Sequence, residues 1–107
     1  MKKTKRARLE AAGWKVGSVR DFLELSEEEE AFIELKLALA TSLRALRERQ
    51  GLTQAQLAQL IDSSQSRVAK MEAGDRTVSI DLLVRSLFAM GITKQGLARI
   101  IAPRRAA

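Results

Sequence analysis

The chain has 107 residues, enough for one domain with a single core, and 46% of them are hydrophobic, as in an ordinary folded globular protein. It has no cysteine and no histidine, which excludes disulfides, Cys/His zinc sites, thiol catalysis and a histidine-based catalytic triad. Its net charge is +6, which favours a polyanionic partner, and we expect no enzymatic activity, no cofactor and no metal.

The charge is unevenly distributed along the chain. Residues 1–20 carry seven bases and one acid, residues 21–52 carry four bases and eight acids, and residues 53–107 carry eight bases and four acids. An acidic block between two basic segments predicts one side that faces a polyanion and another side that is turned away from it.

Nothing in the sequence indicates a membrane protein. No apolar run approaches the roughly 18 residues that a membrane-spanning helix needs. The basic start MKKTKRAR leads into LEAAGWK rather than into an apolar signal region. We therefore expect a cytoplasmic protein.

Residues 1–25 predict an N-terminal extension that is partly helical and partly extended. Five of its first eight residues are Lys or Arg. This basic start has three interpretations: a flexible solubilising tail, an arm on DNA phosphates or in a minor groove, or a partner-binding segment. Trp14 lies in a short extended or turn segment flanked by glycines and is interpreted as a hydrophobic anchor. Residues 18–25 predict one or two helical turns.

A long helix is predicted after this extension. Ser26 and Glu29 form the S-x-x-E pattern of a capping box at its start, and Gly51 is suited to its end. The glutamates at 27–30 are favoured there by the helix dipole and need no metal ion. One apolar stripe recurs at steps of three or four residues: Phe32, Leu35, Leu39, Leu43 and Leu46.

Four shorter helices follow. Each begins at a residue whose hydroxyl can cap a helix, namely Thr53, Ser64, Ser79 and Thr93. Gln56 completes a second capping box, Gly74 and Gly91 end the third and fourth helices, and Pro103 stops the fifth. The apolar residues predicted to face inward are Leu57, Ala58 and Ile61, then Val68 and Met71, then Ile80, Leu83, Val84, Leu87 and Phe88, and finally Leu97, Ile100 and Ile101.

This pattern predicts an all-α fold. No stretch shows sustained period-two alternation, so no strand is expected. We expect a five-helix domain over residues 26–102, preceded by the extension of residues 1–25 and followed by a short tail of residues 103–107.

The second and third helices are joined by only Asp62 and Ser63, which predicts a helix-turn-helix over residues 53–74. Its sequence, TQAQLAQLIDSSQSRVAKMEAG, resembles that of the XRE, or phage-repressor-like, family of bacterial and phage regulators. The positions that carry the resemblance are Gln54, Ala58, Val68, Glu72 and Gly74. The resemblance continues over about residues 35–101 and implies a repressor-like five-helix domain that binds double-stranded DNA.

The helix at residues 64–73 is the predicted recognition helix. Its outer face carries Gln65, Ser66, Ala69 and Lys70, side chains suited to base edges in the major groove. Without the resemblance, such a face is usually just the solvated surface of a helical bundle. The predicted phosphate contacts are Thr53, Gln54, Ser64 and Arg67.

The resemblance also implies a structural role for two residues. At two other positions the sequence differs from the usual family pattern. Arg47 and Glu72 match a family pair that forms a salt bridge between the first helix and the end of the recognition helix. Asp62 occupies a turn position usually held by glycine, and it tolerates left-handed dihedrals better than most residues. Leu60 is more often polar in the family, and it either packs against the extension or a partner, or is simply exposed.

Three functional hypotheses follow. The first is a sequence-specific transcriptional regulator, a repressor, acting as a homodimer on a partly palindromic operator and associated with the nucleoid when bound. The second is an antitoxin that also binds a RelE-like toxin through residues 1–25, because GWKVG and FLELSEEE resemble small HigA-like regulators. The third is a scaffold that makes only protein contacts. The dimer interface is expected on the last helix, through Leu97, Ile100 and Ile101, or on the extension.

Overall fold

The computed structural model describes residues 26–103, and within that range the protein is all-α, as predicted. The five helices are α1 (Glu27–Arg49), α2 (Gln54–Leu60), α3 (Gln65–Ala73), α4 (Ile80–Ala89) and α5 (Lys94–Ile101). Across these described residues, no helix has both the length and the apolar character that crossing a membrane requires. The predictions for residues 1–25 and for the last four residues lie outside the described range.

Each of the five helices begins at the predicted hydroxyl residue. In Ser26, Thr53, Ser64, Ser79 and Thr93 the side-chain oxygen accepts a hydrogen bond from the backbone N–H three residues later, at 2.9–3.1 Å. Such a cap stabilises a helix by about 1 kcal/mol. The reciprocal capping box of Thr53 and Gln56 is complete, since the Thr53 N–H donates to Gln56 Oε1 at 2.8 Å. At the start of α1, the Glu29 carboxylate instead accepts from the Ser26 hydroxyl at 3.1 Å.

The core lies between α1, α2, α3 and α4. Seven large side chains in it are essentially inaccessible to solvent, namely Leu39, Leu43, Leu57, Val68, Met71, Leu83 and Leu87. Burying one such side chain contributes about 1.5–3 kcal/mol to folding. The helix α1 contacts α3, α4 and α5, whereas α2 packs mainly against α3.

Three apolar residues assigned to the interior from the sequence pattern are exposed, so those predictions are wrong. Phe32 is 50% exposed, Phe88 is 43% exposed and Ile101 is 53% exposed. The buried side of α1 passes through the neighbouring Ile33 instead, because the helix is apolar on more than one face and periodicity alone does not choose among them. Phe88 and Ile101 lie at the ends of α4 and α5, where the described residues leave them uncovered.

The largest departure from the expected pattern is a buried lysine. Lys36 lies on the inner side of α1 and is only 3% exposed. Its ammonium group donates to the backbone carbonyl of Arg76 at 3.2 Å, in the loop that follows α3. Burial lowers the pKa of Lys36, and the nearby charge of Asp75 acts in the opposite direction.

Candidate nucleic-acid interface

The connection between α2 and α3 is a tight turn built on a left-handed residue. Asp62 has φ +54°, and it is the one non-glycine residue with positive φ among the residues described. The Ser63 N–H donates to the Ala58 carbonyl at 2.7 Å, which closes the turn over the end of α2. A left-handed conformation costs an ordinary residue about 1–2 kcal/mol, and Asp less, because its short polar side chain tolerates it.

The turn presents α3 with one buried side and one exposed side. Val68 and Met71 are completely buried against the rest of the core. The exposed side carries the four predicted base-contacting residues, Gln65, Ser66, Ala69 and Lys70. Arg67, also exposed, lies at the flank of this surface because successive residues turn by about 100° around a helix of 3.6 residues per turn. We call the side chains of Gln65, Ser66, Ala69 and Lys70 the recognition face.

The end of α3 is fixed against α1 by a close approach. Gly74 ends the helix with φ +69°, a left-handed conformation that favours glycine. A Cβ atom at this position would lie 2.6 Å from Cδ2 of Leu37, so no larger residue fits without displacing that side chain. The Asp75 N–H donates to the Lys70 carbonyl at 3.0 Å, which completes the helix end.

A hydrogen-bonded cluster joins the recognition helix to the two helices before it. The Glu72 carboxylate accepts from Arg47 Nε at 2.5 Å and from Arg47 Nη2 at 3.0 Å. It also accepts from Gln54 Nε2 at 3.2 Å. Arg47 Nη1 donates to the Leu52 carbonyl at 2.8 Å. The side chains of Arg47 and Glu72 are only 12% and 4% exposed.

This cluster ties α3 to α1 and α2 through side-chain hydrogen bonds. The hydrogen bond to Glu72 raises the pKa of Arg47, and this effect exceeds the opposing effect of burial. The planar guanidinium donates in parallel to both carboxylate oxygens, an arrangement that fixes relative position as well as charge. The pair therefore sets how α3 is oriented on α1.

Of the predicted phosphate-contacting residues, Thr53 and Gln54 lie at the start of α2, and Ser64 and Arg67 lie at the start of α3. Thr53 and Ser64 are exposed, and each hydroxyl oxygen already accepts a backbone N–H as a helix cap. Gln54 is half-buried, and one hydrogen of its amide is directed at Glu72. An amide nitrogen has two hydrogens, so the second is left to donate elsewhere.

The structure adds a loop that sequence reasoning missed. A depression of about 320 Å³ borders the recognition face, and it is lined by Ser64, Ser66, Arg67, Lys70, Thr77 and Val78. Thr77 and its neighbour Arg76 are exposed. This loop extends the polar surface of α3 by a second segment of chain that also carries a cation.

Asp75 holds that loop in place. Its Oδ1 accepts from the Thr77 backbone N–H at 2.8 Å and from the Thr77 hydroxyl at 2.6 Å. These bonds to Thr77 lower the pKa of Asp75, with smaller contributions from the charges of Lys70 and Lys36. An Asp two residues before a Thr is a known local turn pattern, and it is the sequence signal that would have found the loop.

The acidic block lies at the start of α1, the helix that contacts α3 further along. Glu27, Glu28 and Glu29 are exposed in the first turn of α1, whereas Arg47 lies in its last turn. A helix of 23 residues is about 35 Å long. The Glu72 end of α3 is thus separated from the glutamates by most of the length of α1, whereas Arg76 is nearer to them, because its carbonyl accepts from Lys36 in the first half of that helix.

Residues 43–85 match the helix-turn-helix family. The match begins in the second half of α1, includes α2 and α3, and ends within α4. It supports the XRE-type resemblance and a DNA-binding transcriptional regulator, since this is a regulatory family and not an enzyme family. No curated protein and no solved structure matches the chain. The helix-turn-helix domain is the best supported assignment for this part of the protein.

Proposed function

We propose that the protein is a sequence-specific transcriptional repressor whose recognition helix, residues 64–73, binds in the major groove of double-stranded DNA. The observation that supports this most directly is the recognition face itself. Short polar side chains and one lysine lie on the exposed side of α3, while Val68 and Met71 on the other side are completely buried. The face is exposed, it lies on a helix whose other side is buried in the core, and its side chains are chemically suited to base edges.

Each side chain of the recognition face has a distinct base preference. The Gln65 amide can donate to and accept from adenine N6 and N7, and the Lys70 ammonium can donate to guanine O6 and N7. The Ser66 hydroxyl suits either kind of edge. Ala69 permits close approach of the helix and can contact a thymine methyl group. Sequence preference is expected to depend mainly on Gln65 and Lys70.

The surrounding residues supply the contacts that fix register on the duplex. Thr53, Gln54, Ser64 and Arg67 are proposed as phosphate contacts, which orient a protein without reading sequence. The second amide hydrogen of Gln54 is the group available for this role, because the first is bonded to Glu72. Arg76 and Thr77 join this set, since their loop borders the same depression as Lys70.

A homodimer on a partly palindromic operator is part of the proposal. One recognition helix reads only a few base pairs, so two copies are needed to single out an operator among genomic sites. The two-fold symmetry of such a dimer is matched by the symmetry of its operator. The proposal therefore includes self-association of the chain.

The test is fluorescence anisotropy with DNA from the region upstream of the gene and with scrambled DNA, at several salt concentrations. Gln65→Ala and Lys70→Ala should each weaken binding to the upstream DNA by about 5- to 150-fold and reduce its preference over scrambled DNA. Lys94→Ala, which removes an exposed charge from α5, is the matched control and should leave the preference unchanged. Equal, weak binding of every variant to both DNAs would show only generic charge attraction and would contradict the proposal.

A second candidate function concerns residues 1–25. Their resemblance to HigA-like regulators supports an antitoxin role, in which the extension binds a RelE-like toxin while the helix-turn-helix domain represses the operon. Deleting residues 1–25 should then abolish toxin binding and retain DNA binding. A truncated chain that binds the toxin as well as the full chain would contradict this assignment.

A further inference from the structure

A long, shallow groove runs between α1 and α5. It consists of two depressions of about 330 and 420 Å³ that share Ile100. We call it the α1–α5 groove and define it by Leu35, Ala38, Ser42, Ala45, Ile100 and Ile101. Its most accessible large apolar side chain is Ile101, which is 53% exposed. Part of an apolar surface that the helices do not use for their own packing is thus left open.

The groove lies on the side of α1 away from α3. Leu37 and Arg47 contact the end of α3 at Gly74 and Glu72. The residues of α1 that line the groove are offset from these by roughly half a turn, since each residue rotates by about 100°. A partner in the groove would therefore leave the recognition face uncovered.

The α1 positions in the groove have the spacing of a helix-pairing face. Eight residues of α1 line it, and six of them, at 31, 35, 38, 42, 45 and 49, follow alternating steps of four and three, with Glu34 and Leu46 beside them. This is the period of 3.5 residues at which two helices pack along their length. The side chains at its centre, Ala38, Ser42 and Ala45, are small, so a second helix axis can approach to about 8 Å.

The charges at the two ends of the groove are opposite. Glu27 and Glu28 are exposed at the start of α1. Arg49 and Arg99 line the groove at the other end. Among residues 26–103, neither arginine forms a salt bridge or hydrogen bond through its side chain. The surface is thus acidic at one end, apolar in the middle and basic at the other end.

We propose that the α1–α5 groove is the homodimer interface and that its occupant is α1 of a second copy, antiparallel about a two-fold axis near Ala38 and Ser42. This orientation places Glu27 and Glu28 of each copy near Arg49 and Arg99 of the other, whereas a parallel arrangement would oppose like charges. The paired region, residues 31–49, is about 27 Å long. This inference depends on the proposed function only because it requires a homodimer. What it adds is the surface through which the two copies pair.

Charge reversal tests the pairing in the full-length chain. Sedimentation equilibrium should show that Arg49→Glu and Glu28→Arg each weaken dimerisation by about tenfold or more, because like charges then face each other twice. The double variant should recover most of the loss, since a two-fold interface with both ends reversed is again complementary. Arg85→Glu, on the exposed side of α4, is the control and should dimerise like the unmodified chain.

Cysteine cross-linking provides a second, independent readout, because the chain has no cysteine of its own. Ala38→Cys, close to the proposed two-fold axis, should give a covalent dimer with a short bifunctional maleimide. Ala55→Cys, on the exposed side of α2, should not. The two variants differ only in the position of the thiol, so a difference in yield reports proximity between copies.

The outcomes separate this inference from the proposed function. A dimer that persists unchanged in both single reversals and does not cross-link through Ala38→Cys overturns the α1–α5 interface and leaves the homodimer standing elsewhere. A double variant no better than the single ones also overturns it. A chain that is monomeric at every concentration overturns both the interface and the homodimer, whereas DNA preference is tested separately through Gln65 and Lys70.

Discussion

Arg47 in α1 binds the Glu72 carboxylate at the end of α3 through two nitrogen atoms, Nε at 2.5 Å and Nη2 at 3.0 Å. The Glu72 side chain is only 4% exposed, and Arg47 is the cation that it contacts. Arg47→Ala should lower the free energy of unfolding by about 3–5 kcal/mol, because it leaves a buried carboxylate uncompensated. Chemical denaturation measures this.

The control for this variant lies three residues away on the same helix. Arg44 pairs with Glu48 at 2.8 Å, but these side chains are 65% and 56% exposed. Arg44→Ala should therefore cost less than about 1 kcal/mol. Similar losses in the two variants would contradict the structural importance assigned to the buried pair.

Gly74 should be far less replaceable than Gly51, although both have nearly the same φ, +69° and +70°. Both alanine variants lose about 1–2 kcal/mol from the left-handed conformation. Only at Gly74 does the added Cβ also meet Leu37 Cδ2, at 2.6 Å, whereas at Gly51 nothing lies within 4 Å. Gly74→Ala should thus unfold at a clearly lower temperature than Gly51→Ala, and equal melting temperatures would contradict the close approach.

Asp75 should contribute stability that is lost in acid. Hydrogen bonds from Thr77 lower its folded-state pKa, so its contribution is complete above the unfolded-state pKa of about 3.9. That contribution disappears as the pH falls through the lower folded-state value. Asp75→Asn should flatten the dependence of melting temperature on pH below about 4. An unchanged acid profile would show that the Asp75–Thr77 contact contributes nothing.

Arg76 should affect DNA binding in a different way from Lys70. A cation that contacts a phosphate adds affinity for every sequence, so Arg76→Ala should weaken binding to operator and scrambled DNA alike and reduce the salt slope by about 1. Anisotropy titrations over a range of salt concentrations give both quantities. A loss confined to the operator would place Arg76 among the base-reading residues instead.

The features that were predictable from the sequence are those set by local interactions. Each helix start follows from a hydroxyl oxygen that accepts a hydrogen bond from the backbone N–H three residues later, at Ser26, Thr53, Ser64, Ser79 and Thr93. The turn at Asp62 follows from the short connection between two helices. These need no knowledge of tertiary packing.

What the sequence did not reveal depends on which helices meet. Phe32 and Ile101 satisfy the apolar period but lie outside the packed surfaces, whereas Lys36 violates it and is buried. The Arg76–Thr77 loop reaches the recognition face only because the fold returns there after α3. The bond between Arg47 and Glu72 joins residues 25 positions apart, and it was suggested by family resemblance rather than by spacing.

The burial of Lys36 means that chemical labelling of lysines can distinguish the folded chain from the unfolded chain. Residues 26–103 contain three lysines, of which Lys36 is 3% exposed while Lys70 and Lys94 are exposed. An amine-reactive reagent can therefore modify Lys70 and Lys94 in the folded chain but reaches Lys36 only when α1 separates from the loop after α3. Mass spectrometry of one sample would then report DNA occupancy at Lys70, general reactivity at Lys94 and loss of folding at Lys36.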